Sequence, residues 1–285
     1  MKLFRHKPSK IEYTRDMMPH TRKEVFFDVL KLQWKSLLAL GVLVLLASLP
    51  LIACFLVEQI YSSIILDGIT SMENSAEYMA AANKISVLSS TISFIQIPFF
   101  AILGVVMAGI ARIIRQYAYE ECVHFSTDFA EGVKQNWKQA LILSLTASTI
   151  GAISAFAYGL RGLADGMANL ITALPMMLFV VLFIPIAAVI AVLIPVYNNS
   201  FSCNLKWAVF IFAKKPLRVI ISLVLASAVF AVALVPGFYT GLLGRIIGVI
   251  LLPIAMLGFY LSIFDVLDEL INKDNYPEIV GKGTF

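Results

Sequence analysis

Charged side chains are scarce in this chain of 285 residues, where Asp, Glu, Lys and Arg together make up 14%. Soluble domains carry roughly 25% of such residues. Hydrophobic residues make up 60% of the chain, which leaves too few polar side chains to cover a surface that faces water. The composition therefore excludes a soluble globular protein and predicts one whose surface faces lipid.

The sequence also lacks the motifs that common enzymes and metal sites require. Its three cysteines form no C-x-x-C pair, and its three histidines lie outside the long apolar runs. It contains no G-x-x-x-x-G-K-S/T phosphate loop, no H-E-x-x-H zinc motif and no G-x-S-x-G nucleophile motif. We therefore predict a protein that is not an enzyme and binds no cofactor. The stretch 120–124, which ends at His124, is expected to be a solvated loop and not a metal site.

The chain does contain six long apolar runs, each of roughly the 20 residues that a helix needs to cross a bilayer. They cover residues 37–57, 87–114, 140–160, 167–196, 219–235 and 242–264. Backbone polar groups must be paired within lipid, and no segment alternates with period two, so helices are predicted and a barrel is not. We predict an all-α polytopic membrane protein with a basic N-terminal segment (1–24), a six-helix membrane domain (25–264) and a tail (265–285).

Positive charge is concentrated in alternate gaps between these runs. The segment before the first run holds nine Lys and Arg residues, 112–138 holds four, 197–218 holds four and the tail holds two, which is 19 of 22. Loops rich in Lys and Arg stay in the cytoplasm, so both termini are predicted to lie inside and the loop 58–84 outside. No basic groove with interleaved aromatic residues occurs, so the predicted partner of this charge is the lipid bilayer and not a nucleic acid.

A short pattern recurs before the first, third and fifth runs. Residues 26–35 and 129–138 each begin with Phe and end with a Trp-Lys pair, and 209–218 is a looser third copy. Either an ancestral triplication or the general preference of Trp and Lys for a membrane boundary explains it. The pattern predicts three units, each a short interfacial helix followed by two spans. We call the inner membrane surface that these units share the rim. The candidate contacts for a partner or for lipid headgroups at the rim are Lys31, Trp34, Lys35, Arg112, Arg115, Lys134, Asn136, Trp137, Lys138, Lys214 and Arg218.

Part of this rim carries a family resemblance. The stretches concerned are Ala111-Arg112-Ile113-Ile114-Arg115, Asp128-Phe129, and Val-Lys-Gln-Asn-Trp-Lys-Gln-Ala at 133–140. They resemble the signature of the YesL-like family, bacterial integral membrane proteins classed as a domain of unknown function, over roughly residues 25 to 230. The resemblance implies a location in the bacterial cytoplasmic membrane. Members are often encoded beside carbohydrate ABC transporter components, so it also implies those subunits as partners.

Two functions are compatible with these features. The first is a non-catalytic accessory or regulatory membrane protein linked to carbohydrate ABC transport, which docks through the inner-face set Arg112, Arg115, Lys134, Asn136 and Lys138. The alternative is a transporter or channel for a small neutral solute such as a sugar, which acts alone. A lipid-handling scaffold is a third and weaker hypothesis, suggested by the interfacial helices.

The neutral-solute hypothesis depends on polar side chains inside the apolar runs. No Asp or Glu occurs in the six runs, which disfavours an ion-driven pump. Hydroxyl and amide groups could instead contact a neutral solute, although they also serve helix packing. These residues are Ser89, Ser90, Thr91, Ser93, Gln96, Ser144, Thr146, Ser148, Thr149 and Ser154.

Overall fold

The computed structural model describes residues 19–68, 75–160, 167–234 and 237–284, and every regular element in these ranges is helical. The helices are α1 (Arg22–Asp67), α2 (Ser75–Ile95), α3 (Ile97–Ala118), α4 (Phe125–Gly159), α5 (Met167–Leu178), α6 (Ile184–Val196), α7 (Phe201–Lys214), α8 (Pro216–Ser227), α9 (Phe238–Leu267) and α10 (Lys273–Asn275). The predicted all-α class is confirmed. Most of the predicted basic N-terminal segment (1–18), and Arg161, lie outside the described residues.

Short segments of other helical geometry connect or follow these helices. A π-helical turn, Phe179–Phe183, joins α5 to α6, and another, Asp268–Asn272, follows α9. Segments of 3-10 helix cover Ala228–Leu234 and Pro277–Ile279. The turn between α5 and α6 lies just before Pro185, whose ring nitrogen cannot donate to the helical ladder, so a local change of helical geometry at this point is expected.

Five helical stretches are long and apolar enough to cross a bilayer. They are Arg22–Asp67, Ile97–Ala118, Phe125–Gly159, Met167–Val196 and Tyr239–Asn275. A further apolar stretch, Pro216–Ala231, is shorter and coincides with most of the predicted run 219–235. The predicted run 87–114 falls on the second half of α2 and on α3, which are separated at Gln96, just before Pro98. The five stretches indicate a multi-pass membrane protein.

Large apolar side chains cover the outside of these helices. Leu170 is 68% exposed, Leu225 70% and Ile153 52%, and many others resemble them. Such a surface would be insoluble in water, but it matches a hydrocarbon solvent, where exposed apolar groups cost nothing. The exposed side chains therefore fit the prediction of a lipid-facing surface.

The buried core lies where α1, α3, α6 and α9 meet. Its fully buried members include Leu37, Leu40, Ile110, Ile113, Ile114, Leu193, Leu257, Ile263, Phe264 and Leu267. The backbones of α1 and α9 approach so closely that a Cβ atom on Gly41 would lie 2.0 Å from the carbonyl oxygen of Ile250. Glycine permits this contact, because any side chain at that position would hold the two helices apart.

Two of the three predicted units bend where the chain is expected to turn into the membrane. α1 is interrupted at Gln33, whose φ of −117° and ψ of 15° are not helical. α7 ends at Lys214 and α8 begins at Pro216, with Lys215 between them at φ −134° and ψ 53°. Proline lacks the N–H group that would continue the helical ladder, so it enforces the second break.

The second unit differs from the prediction, because α4 runs without a break from Phe125 to Gly159. Its first turns pack on α3 and do not form a separate interfacial helix. A Cβ atom on Gly132 would lie 2.8 Å from Cβ of Arg112, and one on Gly109 would lie 2.6 Å from the ring of Phe129. This close packing holds the start of α4 in line with the rest of the α3–α4 hairpin.

The bundle has two chemically different ends. We call the end that holds Arg22, Arg115 and Arg218 the basic end, and the end that holds Glu58 and Asp67 the far end. The charge pattern predicts that the basic end faces the cytoplasm.

Candidate functional site

A cavity of about 540 Å³ lies between the end of α2, α3, α4, the π-helical turn that begins at Phe179, α6 and α9. Most of its wall is apolar or small, as at Met107, Ala147 and Phe179. The polar side chains in the wall are Ser93, Gln96, Ser144, Ser148 and Tyr260. We call this space the apolar cavity. Its volume lies in the range of roughly 300–1,000 Å³ that is typical of small-molecule sites.

A second cavity of about 970 Å³ lies towards the far end, and we call it the polar cavity. Its wall combines Glu58 of α1 with polar residues of α2, α4 and α5. These polar residues are Tyr78, Ser86, Ser89, Ser90, Ser93, Tyr158 and Asn169. No Lys or Arg is among the described residues that line it. Glu58 is therefore the charged side chain of the wall.

The two cavities share Ser93, so they adjoin at the middle of the bundle. One face of α2 and α3 runs along both of them, from Ser86 in the polar cavity to Ala111 in the apolar cavity. These two residues are about 25 positions apart, which is roughly 37 Å of helix. The hydrocarbon core of a bilayer is about 30 Å thick. The shared face is thus long enough to line a route across the membrane.

The serines of the polar cavity all use their hydroxyl protons within the protein. Ser89 Oγ donates to Glu58 Oε1 at 2.5 Å, and the other three donate to backbone carbonyl oxygens. Those bonds run from Ser86 to Gly159 (2.9 Å), from Ser90 to Ser86 (2.8 Å) and from Ser93 to Ser89 (2.8 Å). A hydroxyl that donates in this way still offers its lone pairs. The serines and Glu58 therefore face the cavity as hydrogen-bond acceptors.

The hydroxyls that line the apolar cavity also donate hydrogen bonds to backbone carbonyl oxygens. Ser144 donates to Ala140 O (2.9 Å), Ser148 to Ser144 O (2.7 Å) and Tyr260 to Ala191 O (2.9 Å). Gln96 also lines this cavity, and no hydrogen bond joins its side chain to the described residues. Its amide carries both donors and an acceptor, so it can contact a polar group of a bound molecule.

No family model, curated protein or solved structure matches this chain. The resemblance to the YesL-like family therefore stays a prediction, and the carbohydrate ABC transporter subunits that it implies as partners stay a proposal.

Most of the predicted rim residues lie exposed at the basic end. Lys31, Trp34, Lys35, Lys134, Trp137, Lys138, Lys214 and Arg218 are exposed, and Asn136 is half-buried. Two of the lysines lie over the ring of the preceding tryptophan, with Nζ 5.6 Å from the Trp34 ring centre for Lys35 and 5.7 Å from that of Trp137 for Lys138. Such cation–π pairs at a bilayer surface place the aromatic ring and the positive charge at the same depth.

The two arginines of α3 are different, because they pair within the protein. Arg112 donates to Glu131 Oε2 (2.7 Å) and to Gln135 Oε1 (2.6 Å). Arg115 donates to Glu121 Oε2 (3.2 Å) and to the carbonyl oxygen of Pro195 (3.0 Å). Both side chains are largely buried, so they join α3 to α4, to α6 and to the loop after α3.

A buried ion-pair network at the basic end was not predicted from the sequence. Arg22, whose side chain is 9% exposed, pairs with Asp268 at 2.9 Å and with Asp265 at 3.6 Å. Asp268 also accepts from Asn272 Nδ2 (2.7 Å) and from the backbone N–H of Gly281 (3.1 Å). The network joins the start of α1 to the end of α9 and holds the tail against the bundle.

Three further contacts extend this network. Asp265 accepts from Arg218 at 2.7 Å, and Glu269 pairs with Lys215 at 2.7 Å, so α8 is attached to α9 as well. Tyr197 donates through its hydroxyl to Asn272. Burial raises the pKa of Tyr197 above its ordinary value, so this hydroxyl keeps its proton.

The stretch 120–124 is a loop in which Cys122 and His124 are exposed and the other three residues are half-buried. Glu120 adopts a left-handed conformation with φ of 54°. The N–H of Glu121 bonds to Gln116 O (2.9 Å) and that of Glu120 to Tyr117 O (3.1 Å), which is the Schellman arrangement that ends many helices. Burial, and then the charge of Asp28, raise the pKa of Glu120.

The polar residues predicted for a neutral solute divide into two groups. Ser89, Ser90, Ser93, Gln96, Ser144 and Ser148 line the cavities. Thr91, Thr146 and Thr149 are exposed on the lipid side, and Ser154 is buried outside both cavity walls. Glu58 was expected in a loop, but it lies in α1, which extends beyond the predicted run to Asp67.

Proposed function

We propose that this chain is a non-catalytic membrane carrier that moves an uncharged molecule across the bilayer through the two adjoining cavities. The observation that supports it is the single face of α2 and α3, which lines both cavities over a length comparable to the hydrocarbon core. The six apolar runs contain no Asp or Glu, and Glu58 is the carboxylate among the described residues that line the route.

The proposal includes six spans with both termini in the cytoplasm of a bacterial cell. The shorter stretch Pro216–Ala231 continues through the 3-10 segment that ends at Leu234, and together they give a sixth apolar helix between α7 and α9. The concentration of Lys and Arg at the basic end supports this orientation.

Transport is tested by reconstituting the purified chain in phosphatidylcholine vesicles. Two probes are compared, radiolabelled glucose and a fluorescent alkyl glucoside whose position is read with a membrane-impermeant quencher. We expect at least one probe to cross severalfold faster than in protein-free vesicles. If neither does, the carrier proposal is wrong.

A matched pair of variants on α4 controls for non-specific leakage. Ala147→Phe places a large ring in the apolar cavity, whereas Thr146→Phe places the same ring on the neighbouring, lipid-facing position. We expect the first variant to lower the rate towards the protein-free value and the second to leave it unchanged. Equal rates for the two variants would show that the probe does not pass through this cavity.

A second candidate is the accessory or regulatory role beside a carbohydrate ABC transporter. It is favoured by the exposed Lys and Trp side chains that recur at Trp34, Lys35, Trp137 and Lys138 of the basic end. Arg112 and Arg115 support it less, because they are engaged within the protein. Affinity purification from native membranes tests this role, and recovery of no ABC transporter subunit would contradict it.

A further inference from the structure

The two cavities differ in chemistry along one continuous route. The polar cavity at the far end contains a carboxylate and a row of serine oxygens, whereas the wall of the apolar cavity is mainly Leu, Met, Ala and Phe. A free sugar needs hydrogen-bond partners around its whole surface, because an unpaired hydroxyl in an apolar space costs roughly 1–3 kcal/mol. The polar cavity can satisfy several hydroxyls, but the apolar cavity offers few partners beyond Gln96.

We propose that the two cavities form one binding site for an amphiphile. Its acyl or alkyl chain lies in the apolar cavity, and its headgroup lies in the polar cavity and donates hydrogen bonds through hydroxyl or ammonium groups. This inference rests on the proposed use of the cavities. It widens the proposed class of ligand from uncharged molecules to amphiphiles, including those with an ammonium headgroup. The polar cavity lies at the end with Asp67 and the apolar cavity extends from it into the bundle, so the ligand has the orientation of a lipid in the adjacent leaflet.

The hydrogen-bond directions select the headgroup. Glu58 accepts one hydrogen bond from Ser89 through Oε1, and its other oxygen, Oε2, remains available to accept one from a ligand. The hydroxyls of Ser86, Ser90 and Ser93 also donate their hydrogen bonds to backbone carbonyl oxygens, so they too present lone pairs to the cavity. These five acceptor side chains outnumber the three donor-bearing ones of the wall, Tyr78, Tyr158 and Asn169, so the cavity favours a ligand that donates.

The same wall disfavours a phosphate headgroup. A phosphate is anionic and presents acceptor oxygens, so it would face the Glu58 carboxylate with no Lys or Arg among the described residues of the wall to neutralise it. Arg245 of α9 lies over the ring of Phe55, with its guanidinium carbon 3.5 Å from the ring centre. It interacts electrostatically with Glu58 but is not among the residues of the wall, so its charge is already partly balanced by that carboxylate. The site is therefore expected to reject common phospholipids.

The test uses four probes that separate the contribution of the alkyl chain to binding from that of the headgroup. Dodecyl glucoside, dodecylamine and dodecyl phosphate share one chain, and glucose has none. Binding to the full chain in phosphatidylcholine nanodiscs is measured by native mass spectrometry. We expect the glucoside or the amine to bind at least about tenfold more tightly than the phosphate, as one hydrogen bond to a charged group allows, and glucose to bind more weakly than its dodecyl derivative. Tighter binding of the phosphate, or equal binding of glucose and dodecyl glucoside, would overturn the proposal.

Glu58→Gln distinguishes the two kinds of headgroup. The side-chain oxygen of Gln still accepts a hydrogen bond from a hydroxyl, but the side chain has lost the negative charge that attracts an ammonium group. We expect this variant to weaken the amine by about tenfold and the glucoside much less. Asp67→Asn removes an exposed negative charge from the same helix outside the cavity and is expected to leave both affinities unchanged. If Glu58→Gln changes neither affinity, the headgroup does not lie in the polar cavity.

The position of the ligand's alkyl chain is tested with the two variants of α4 that were described above. Ala147→Phe is expected to abolish binding of dodecyl glucoside, and Thr146→Phe is expected to leave it unchanged. Equal effects of the two variants would overturn the placement of the alkyl chain in the apolar cavity.

The two proposals can fail separately. Binding of the amphiphiles without movement across vesicles would refute the carrier and leave the site intact, whereas glucose transport without amphiphile binding would refute the site and leave the carrier intact.

Discussion

The two ends of the bundle use charged side chains in different ways. At the basic end, the carboxylates of Asp265 and Asp268 are paired with arginines that belong to other helices. At the far end, Glu58 accepts one hydrogen bond from the described residues, that of Ser89, interacts with Arg245 electrostatically and faces a cavity. A carboxylate between arginines fixes the positions of helices, whereas one that faces an open space is available to a ligand. The comparison indicates that the basic end holds helices together, and it is consistent with the binding role that we propose for the far end.

Removal of a carboxylate from the basic end should have the largest effect on stability. Asp268→Ala removes the shorter of the two ion pairs of Arg22 and leaves its guanidinium with the longer contact to Asp265 and the hydrogen bond to the carbonyl oxygen of Lys282. We expect the free energy of unfolding to fall by about 2–3 kcal/mol, because an unpaired buried charge is costly. Denaturation in mixed micelles, followed by helical ellipticity, measures the change.

The control for this variant is Asp274→Ala, which removes an exposed carboxylate from α10 in the same tail. Its effect should stay below about 0.5 kcal/mol. Equal losses for the two variants would show that the network is not what stabilises the basic end.

A smaller, pH-dependent effect is expected at Glu120. Burial raises the pKa of its carboxyl group above that in the unfolded chain. The stability that this group contributes is therefore present at low pH and is lost as the pH rises through the raised pKa. Glu120→Gln should remove this decrease, so that the variant is the more stable protein at pH 8 and not at pH 4. Unfolding measured across this range checks the sign, and an increase of stability with pH at this site would contradict it.

The left-handed backbone at Glu120 gives a second, independent variant. Glu120→Gly should be more stable than Glu120→Gln by about 0.5–1 kcal/mol at every pH, because glycine adopts φ of 54° without the steric cost that a Cβ atom brings. Glu120→Gln keeps the Cβ atom and serves as its control. If the glycine variant is no more stable than the glutamine variant at pH 8, the backbone at this position is not strained.

The smallest effect on stability is expected at the far end. Glu58→Gln should change the free energy of unfolding of the ligand-free protein by less than about 0.5 kcal/mol, since the amide oxygen can accept the same bond from Ser89. The same denaturation assay measures it beside Asp268→Ala. A loss as large as that of the Asp268 variant would mean that Glu58 is structural, and the contrast between the two ends would disappear.

Parts of the candidate site could be predicted from the sequence. Ser89, Ser93 and Gln96 recur at three- and four-residue spacing, which places them on one helix face, and this face lines the cavities. Glu58 was missed because it follows the apolar run directly, and nothing in its neighbours shows that the helix continues to Asp67. The pairing of Arg22 with Asp268 could not be predicted, because the two residues lie 246 positions apart and local periodicity carries no information on such contacts.

The sequence by itself determined that this chain is helical, that its surface faces lipid, and that positive charge collects at one end. These properties follow from the solvent that each segment requires and from the spacing of polar groups along a single helix. Only the tertiary structure decided where these groups lie. Arg112 and Arg115 pair with residues of other elements, whereas the serines of α2 donate hydrogen bonds within the protein and also line a cavity. Cavities and ion pairs arise where several helices meet, and helix packing, not composition, sets those meetings.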